Sequence, residues 1–134
     1  MIDLLLAMAL ASTTAQNADT IAAMPEDYSV LETAQFRKPI YYAQRHEMAA
    51  ERAAKKAKCK LPTAEQWVYA RIEAAILVAP NGELVKIVPV ESGCRELEVY
   101  MVNHLSKYGK KAGPISTSGE TTWYKTAMHF RWPE

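Results

Sequence analysis

Few residues in this 134-residue chain could do chemistry by their type and spacing. Ser92-Gly93-Cys94 opens a helical pattern, and His104 and His129 follow it. A Ser–His or Cys–His nucleophile needs a base within hydrogen-bond reach and a third group to orient that base. Spacing supplies neither here. His104 falls beside the apolar stripe of its helix, and His129 alternates onto the polar face of a strand. Glu96 and Glu98 form a carboxylate pair, but residues two apart on a helix do not face each other. They suit the positive end of a helix dipole better than acid–base work. Ser116 and Ser118 lie in the segment Gly109–Gly119, which lacks the Gly-Lys-Ser/Thr and following helix of a phosphate loop. Two cysteines and three histidines (His46, His104, His129) show no metal-ligand spacing. The expectation is a protein with no catalytic residues, no cofactor and no metal.

The cysteines bear instead on compartment. Leu4 to Ala11 is a short apolar run followed by small and polar residues, the pattern of a signal peptide cleaved near Ala15 or Ala18. Asp3 stands where a basic residue is usual, so a frayed apolar N-terminus on a cytosolic protein is the alternative. The run is shorter than the roughly 20 residues a membrane-spanning helix needs. Export and an even cysteine count together imply one disulfide, Cys59 to Cys94. Closing that loop of about 36 residues would stabilise a small domain by roughly 4 kcal/mol in the loop-entropy model. Two buried free thiols are the alternative. The expected organisation is a signal peptide over 1–18, an extended arm over 19–41, and one domain over 42–134.

These groups must be positioned by a short series of elements. Tyr42 to Lys58 is rich in Ala, Glu, Arg and Lys, with Ala43, Ala50, Ala54 and Ala57 on one narrow stripe. That predicts a surface helix laid on something flat. Its basic face, with Arg45 to Lys60 holding six basic residues, could meet phosphates, although the formal charge of the chain is only +1. Export would remove nucleic acid as a partner and leave anionic lipid or envelope polymer. Trp67 to Val78 and Leu84 to Val90 read as strands joined by the turn Pro80-Asn81-Gly82-Glu83. Pro89 implies a bulge or a sheet edge. Ser92 or Cys94 opens a second helix with Leu97, Met101, Leu105 and Tyr108 as its buried stripe, packed on Ile72, Ile76 and Ile87. Tyr108-Gly109 is its expected stop. Ala112 to Gly119 reads as a loop, and Thr121 to Trp132 as a last alternating strand. Tyr124, Thr126, Met128, Phe130 and Trp132 face one way; Trp123, Lys125, His129 and Arg131 face the other. The predicted fold is α+β in the order α-β-β-α-β, with two helices on one face of a three-stranded antiparallel sheet and a solvated opposite face.

The run Ile72-Glu-Ala-Ala-Ile-Leu-Val-Ala-Pro-Asn-Gly-Glu-Leu-Val-Lys-Ile-Val-Pro-Val-Glu-Ser-Gly-Cys94, then Arg95-Glu-Leu-Glu98 and the closing Met128-His-Phe-Arg-Trp132, resembles the C-terminal domain of TonB and small TonB-like periplasmic domains. The resemblance covers residues 67 to 132. Tyr108-Gly-Lys-Lys-Ala-Gly-Pro114 stands where the family has Trp-x-Phe-x-Pro, and the Tyr-Pro before the first helix is only echoed by Tyr41-Tyr42. Energy transducers of this kind also carry a membrane helix and a Pro-rich spacer, for which this sequence offers no counterpart. The resemblance therefore implies a TonB-like fold, with any link to energy transduction or outer-membrane transport left open.

It also implies a mode of action. An extended segment of an envelope or outer-membrane protein would pair with the edge of the last strand by β-augmentation, with Trp123, Lys125, His129 and Arg131 as candidate contacts. A homodimer through sheet edges is a related expectation. The alternatives are an adaptor or inhibitor-like module that acts through a helix face, and a small disulfide-stapled structural domain.

Overall fold

The computed structural model describes residues 24–134, so the signal-peptide assignment lies outside the described residues. The fold is α+β, with two helices on one face of an antiparallel sheet. Helix α1 (Gln44–Lys56) begins later and ends earlier than its composition predicts. Ala43 is still extended, with φ −103° and ψ 167°, and Lys58 takes a positive φ of 56° that turns the chain away. Ala50 and Ala54 are buried, which lets α1 lie close on the rest of the fold.

The sheet has one more strand than predicted. Thr63–Ala64 forms a short β1 that pairs antiparallel with the start of β2 (Trp67–Val78). The turn between them places Glu65 at φ 51° and Gln66 at φ 71°, the left-handed pair that a two-residue hairpin requires. Neither residue is a usual turn former, so this hairpin carries no sequence signal. β3 (Leu84–Pro89) pairs with the far half of β2, and β4 (Thr122–Pro133) pairs with β2 from end to end. β2 is thus central, with β1 and β3 in succession along one side and β4 along the other.

The turn into β3 uses its two key residues differently. Gly82 takes the positive φ, 85°, while the Asn81 side chain accepts a hydrogen bond from the Glu83 amide at 3.0 Å. Pro89 closes an edge strand, and the register irregularity falls at Leu77/Val78 beside the turn.

Helix α2 (Arg95–His104) has Cys94 at its N-cap position without a side-chain capping bond, and the Glu98 carboxylate accepts from the Ser92 amide and hydroxyl at 2.9 and 2.6 Å. The helix does not stop at Tyr108-Gly109. Gly109 is helical at φ −65°; the chain widens into a π turn over Leu105–Gly109, runs on through Lys110–Ala112, and ends at Gly113 with φ 78°. A left-handed residue ends a helix, and Gly113 is the first residue after Arg95 to take a positive φ. Leu97, Met101 and Leu105 are buried, sharing one core with Ala50, Ala54, Ile72, Met128, Phe130 and Trp132. Ile87 packs at the margin of this core, and Ile76 belongs to the adjoining cluster with Val78 and Tyr124. Cys59 and Cys94 are disulfide-bonded with Cα atoms 5.5 Å apart, tying the exit of α1 to the cap of α2.

Candidate functional site

The outer edge of β4 is built by strand geometry. Main-chain groups alternate between the two sides of a strand, and even-numbered residues of β4 face β2. Those of Lys125, Ala127, His129 and Arg131 face away. At Lys125 this edge is already used. Its amide donates to Glu32 and its carbonyl accepts from Ala34, each at 2.8 Å, so Thr33 pairs parallel with Lys125. The arm is therefore an extra strand on β4. It also wraps the edge. Tyr28 and Leu31 pack on Trp123, Ala75 and Leu77 on one face, while Ala34 and Phe36 pack near Ile76, Val78 and Tyr124 on the helix face. The Tyr28 hydroxyl donates to the Thr126 carbonyl at 3.0 Å, and Lys125 Nζ donates to the Ser29 carbonyl at 3.1 Å.

The four candidate contact residues thus have different surroundings. Trp123 is only 7% exposed, lying beneath the arm, and its strand neighbour Lys125 is held by that arm. His129 and Arg131 are exposed on the same face. The Arg131 guanidinium lies 4.5 Å from the Trp67 ring centroid, and its amide donates to the Glu47 carboxylate of α1. Between the arm at one end and Glu47 at the other, no hydrogen bond among the described residues engages the outward amides of Ala127 and His129. The face carrying Tyr69, Arg71 and His129 is exposed, but its other half is a second small core, because the arm covers it. Arg71 and Glu73 form an ion pair there.

The groups first weighed for chemistry are dispersed. Cys94 is in the disulfide, Ser92 is bound to Glu98, and His129 lies on the opposite sheet face from His104. His104 is buried among rings that the sequence did not bring together. Its Nε2 donates to the Tyr41 carbonyl at 2.7 Å, and its ring centroid is 4.9 Å from His46 and 4.7 Å from Tyr108. His46 Nδ1 accepts from the Ala43 amide at 2.8 Å, capping the start of α1. Burial pushes both histidines below the ordinary imidazole range, and Arg45 and Lys107 push His46 further the same way. Tyr42 is half-buried beside them, its buried hydroxyl makes no hydrogen bond within the described residues, and burial raises its pKa. This cluster joins the Tyr41–Tyr42 segment, α1 and α2, which is why no local motif announces it.

No protein-family model, curated protein or solved structure matches this chain. Among the described residues no helix is long and apolar enough to cross a membrane.

Proposed function

We propose that this is a non-enzymatic, TonB-like envelope protein that binds an extended polypeptide by strand addition at the outer edge of β4. The observation that carries the reading is the arm: residues 32–34 already add to this edge in parallel at Lys125. An edge that accepts a strand of its own chain has the twist and spacing to accept another. The incoming segment would bond to the free main-chain groups of Ala127 and His129, with His129 and Arg131 beside it, and would extend toward Trp123 by displacing the arm. Backbone pairing supplies the affinity, and side chains of alternate residues supply the selection. The disulfide fits an oxidising compartment such as the periplasm.

The test is capture of partners from an envelope extract, followed by amide exchange on the complex. New protection at Ala127 and His129 is expected. His129→Pro removes one outward donor and spares the ladder to β2, so it should abolish capture while circular dichroism stays native. Protection confined to Gln44–Lys56 would overturn strand addition in favour of a helix-face adaptor. That second reading is supported by the exposed Met48 on α1.

A further inference from the structure

We infer that the cleft between the arm, the Asn81-Gly82 turn and the end of α2 is a binding site for a phosphate-bearing ligand. Three separate parts of the chain meet there around a volume of about 480 Å³. Arg37 and Lys38 line it from the arm, and Lys110 and Lys111 from the last turn of the helix, where the Lys111 ammonium also lies 5.7 Å from the Tyr108 ring centroid. Among the described residues no carboxylate lines the cleft, and the ion pairs found among them, Lys55–Glu51 and Arg71–Glu73, involve none of the four cations. Surface cations without a local counter-charge are common singly. Four converging on one cleft from two segments leave a concentrated positive field.

The geometry around Arg37 gives that field a shape. Its stem lies over Gly113, where an added Cβ would stand 3.3 Å from Arg37 Cδ. Its guanidinium reaches the turn, with Nη2 placed 3.8 Å from where a Cβ on Gly82 would stand. Both glycines have positive φ, and a Cβ on Gly82 would also meet the Pro114 carbonyl at 3.0 Å. The floor of the cleft is therefore bare backbone with an arginine laid across it, and the guanidinium makes no hydrogen bond to another described residue. A planar fork of free N–H donors in a cleft that lysines also line matches the several oxygens and multiple charge of a phosphate better than a single carboxylate.

The negative end of a helix would ordinarily repel an anion. Here two carbonyls at the helix exit are engaged: Gly113 O accepts from the Arg37 amide at 2.8 Å, and Ala112 O accepts from the Lys38 amide at 3.2 Å. The same two bonds place the two arm cations at the cleft. This site is independent of strand addition at β4, since neither Ala127 nor His129 borders it.

The test uses amide chemical shifts of the intact protein titrated with inorganic pyrophosphate, against sodium chloride at matched ionic strength. Saturable shifts concentrated at Gly82, Gly113 and Arg37 are expected. Arg37→Gln with Lys111→Gln should weaken binding by at least roughly tenfold. Lys110→Gln with Lys111→Gln, both at exposed positions, provides a second variant should the first disturb the arm. A parallel arm measures co-sedimentation with phosphatidylglycerol vesicles. Vesicle binding lost in the variants assigns the phosphate to a lipid headgroup, and pyrophosphate binding without vesicle binding assigns it to a soluble ligand. Absence of pyrophosphate shifts at Gly82 and Gly113, together with vesicle co-sedimentation that is absent or unchanged in the variants, overturns the site. Shifts spread equally over Arg52, Lys55 and Lys56 of α1 overturn it as well.

Discussion

Thr33 of the arm is the parallel strand neighbour of Lys125 in β4, and the arm passes from one face of the sheet to the other at that point. Tyr28 and Leu31 are held over Trp123 on one side, Ala34 and Phe36 against the helix-side core on the other. Ala34→Pro deletes the amide that donates to Lys125 at 2.8 Å. It should cost about 1 kcal/mol, the usual net worth of one hydrogen bond. Trp123 emission should shift to longer wavelength as the arm loosens. An unchanged spectrum together with an unchanged denaturation midpoint would mean that the arm is held by its apolar contacts alone.

The disulfide joins two positions that the fold brings together across the hairpin, the exit of α1 and the cap of α2. Replacing both cysteines by serine should lower stability by about 2–4 kcal/mol. Urea unfolding of the double variant beside the oxidised parent measures it directly. A loss below about 1 kcal/mol would show that residual structure already restricts the unfolded chain, so that the bridge adds little.

The parts of this fold that were legible in the sequence are those governed by a local period. The alternation in Trp67–Val78 and Thr122–Trp132 fixed which side chains face the helices, and Leu97, Met101 and Leu105 fell on the buried face that helical spacing requires. The pairing of Cys59 with Cys94 is the one expected from an even cysteine count and an apolar N-terminal run of export type, with free thiols as the alternative. The arm was not legible beyond its being extended. Tyr28, Leu31, Ala34 and Phe36 follow no strand or helix period, because the segment changes faces of the sheet as it runs. Trp123 was assigned a side correctly, but what covers that side comes from a segment distant in sequence. The His46–His104 cluster has the same character, since its rings come from three places. The end of α2 was misplaced because a glycine signals a stop only when it turns left-handed. Gly109 does not, and Gly113 does.

The β1–β2 hairpin offers a stabilising substitution. Gln66 sits at φ 71°, where a side chain costs about 1 kcal/mol relative to glycine. Its carbonyl accepts from the Glu134 amide at 2.8 Å, a main-chain bond that glycine preserves. Gln66→Gly should therefore raise stability by at most about 0.5 kcal/mol once the entropy of a more flexible unfolded chain, roughly 0.5–1 kcal/mol, is counted. Gln66→Ala keeps the conformational cost and should gain nothing. Equal denaturation midpoints for the two variants would show that the turn is not where the cost lies.

The two clustered histidines make the fold sensitive to mild acid. Protonation of His46 at Nδ1 would set a donor against the Ala43 amide, 2.8 Å away, and undo the cap of α1. His104 already donates from Nε2 to the Tyr41 carbonyl, and burial disfavours a second proton. Both pKa values are lowered in the folded state, so the unfolded chain takes up protons first as pH falls. Their stabilising contribution is thus complete above the unfolded value of about 6.5 and is lost as pH drops through the folded values. For buried His104 the slope cannot exceed about 1.4 kcal/mol per pH unit. Urea midpoints compared at about pH 7.5 and about pH 5 isolate this window from the carboxylates, whose usual values lie lower. Glutamine at both positions preserves the hydrogen bonds: its amide can donate to the Tyr41 carbonyl, and its oxygen can accept from the Ala43 amide as in a capping box. The His46→Gln/His104→Gln variant should lose clearly less stability across the interval than the parent. An equal loss would assign the acid response to other groups, and a parent that grew more stable toward pH 5 would reverse the sign of the histidine contribution.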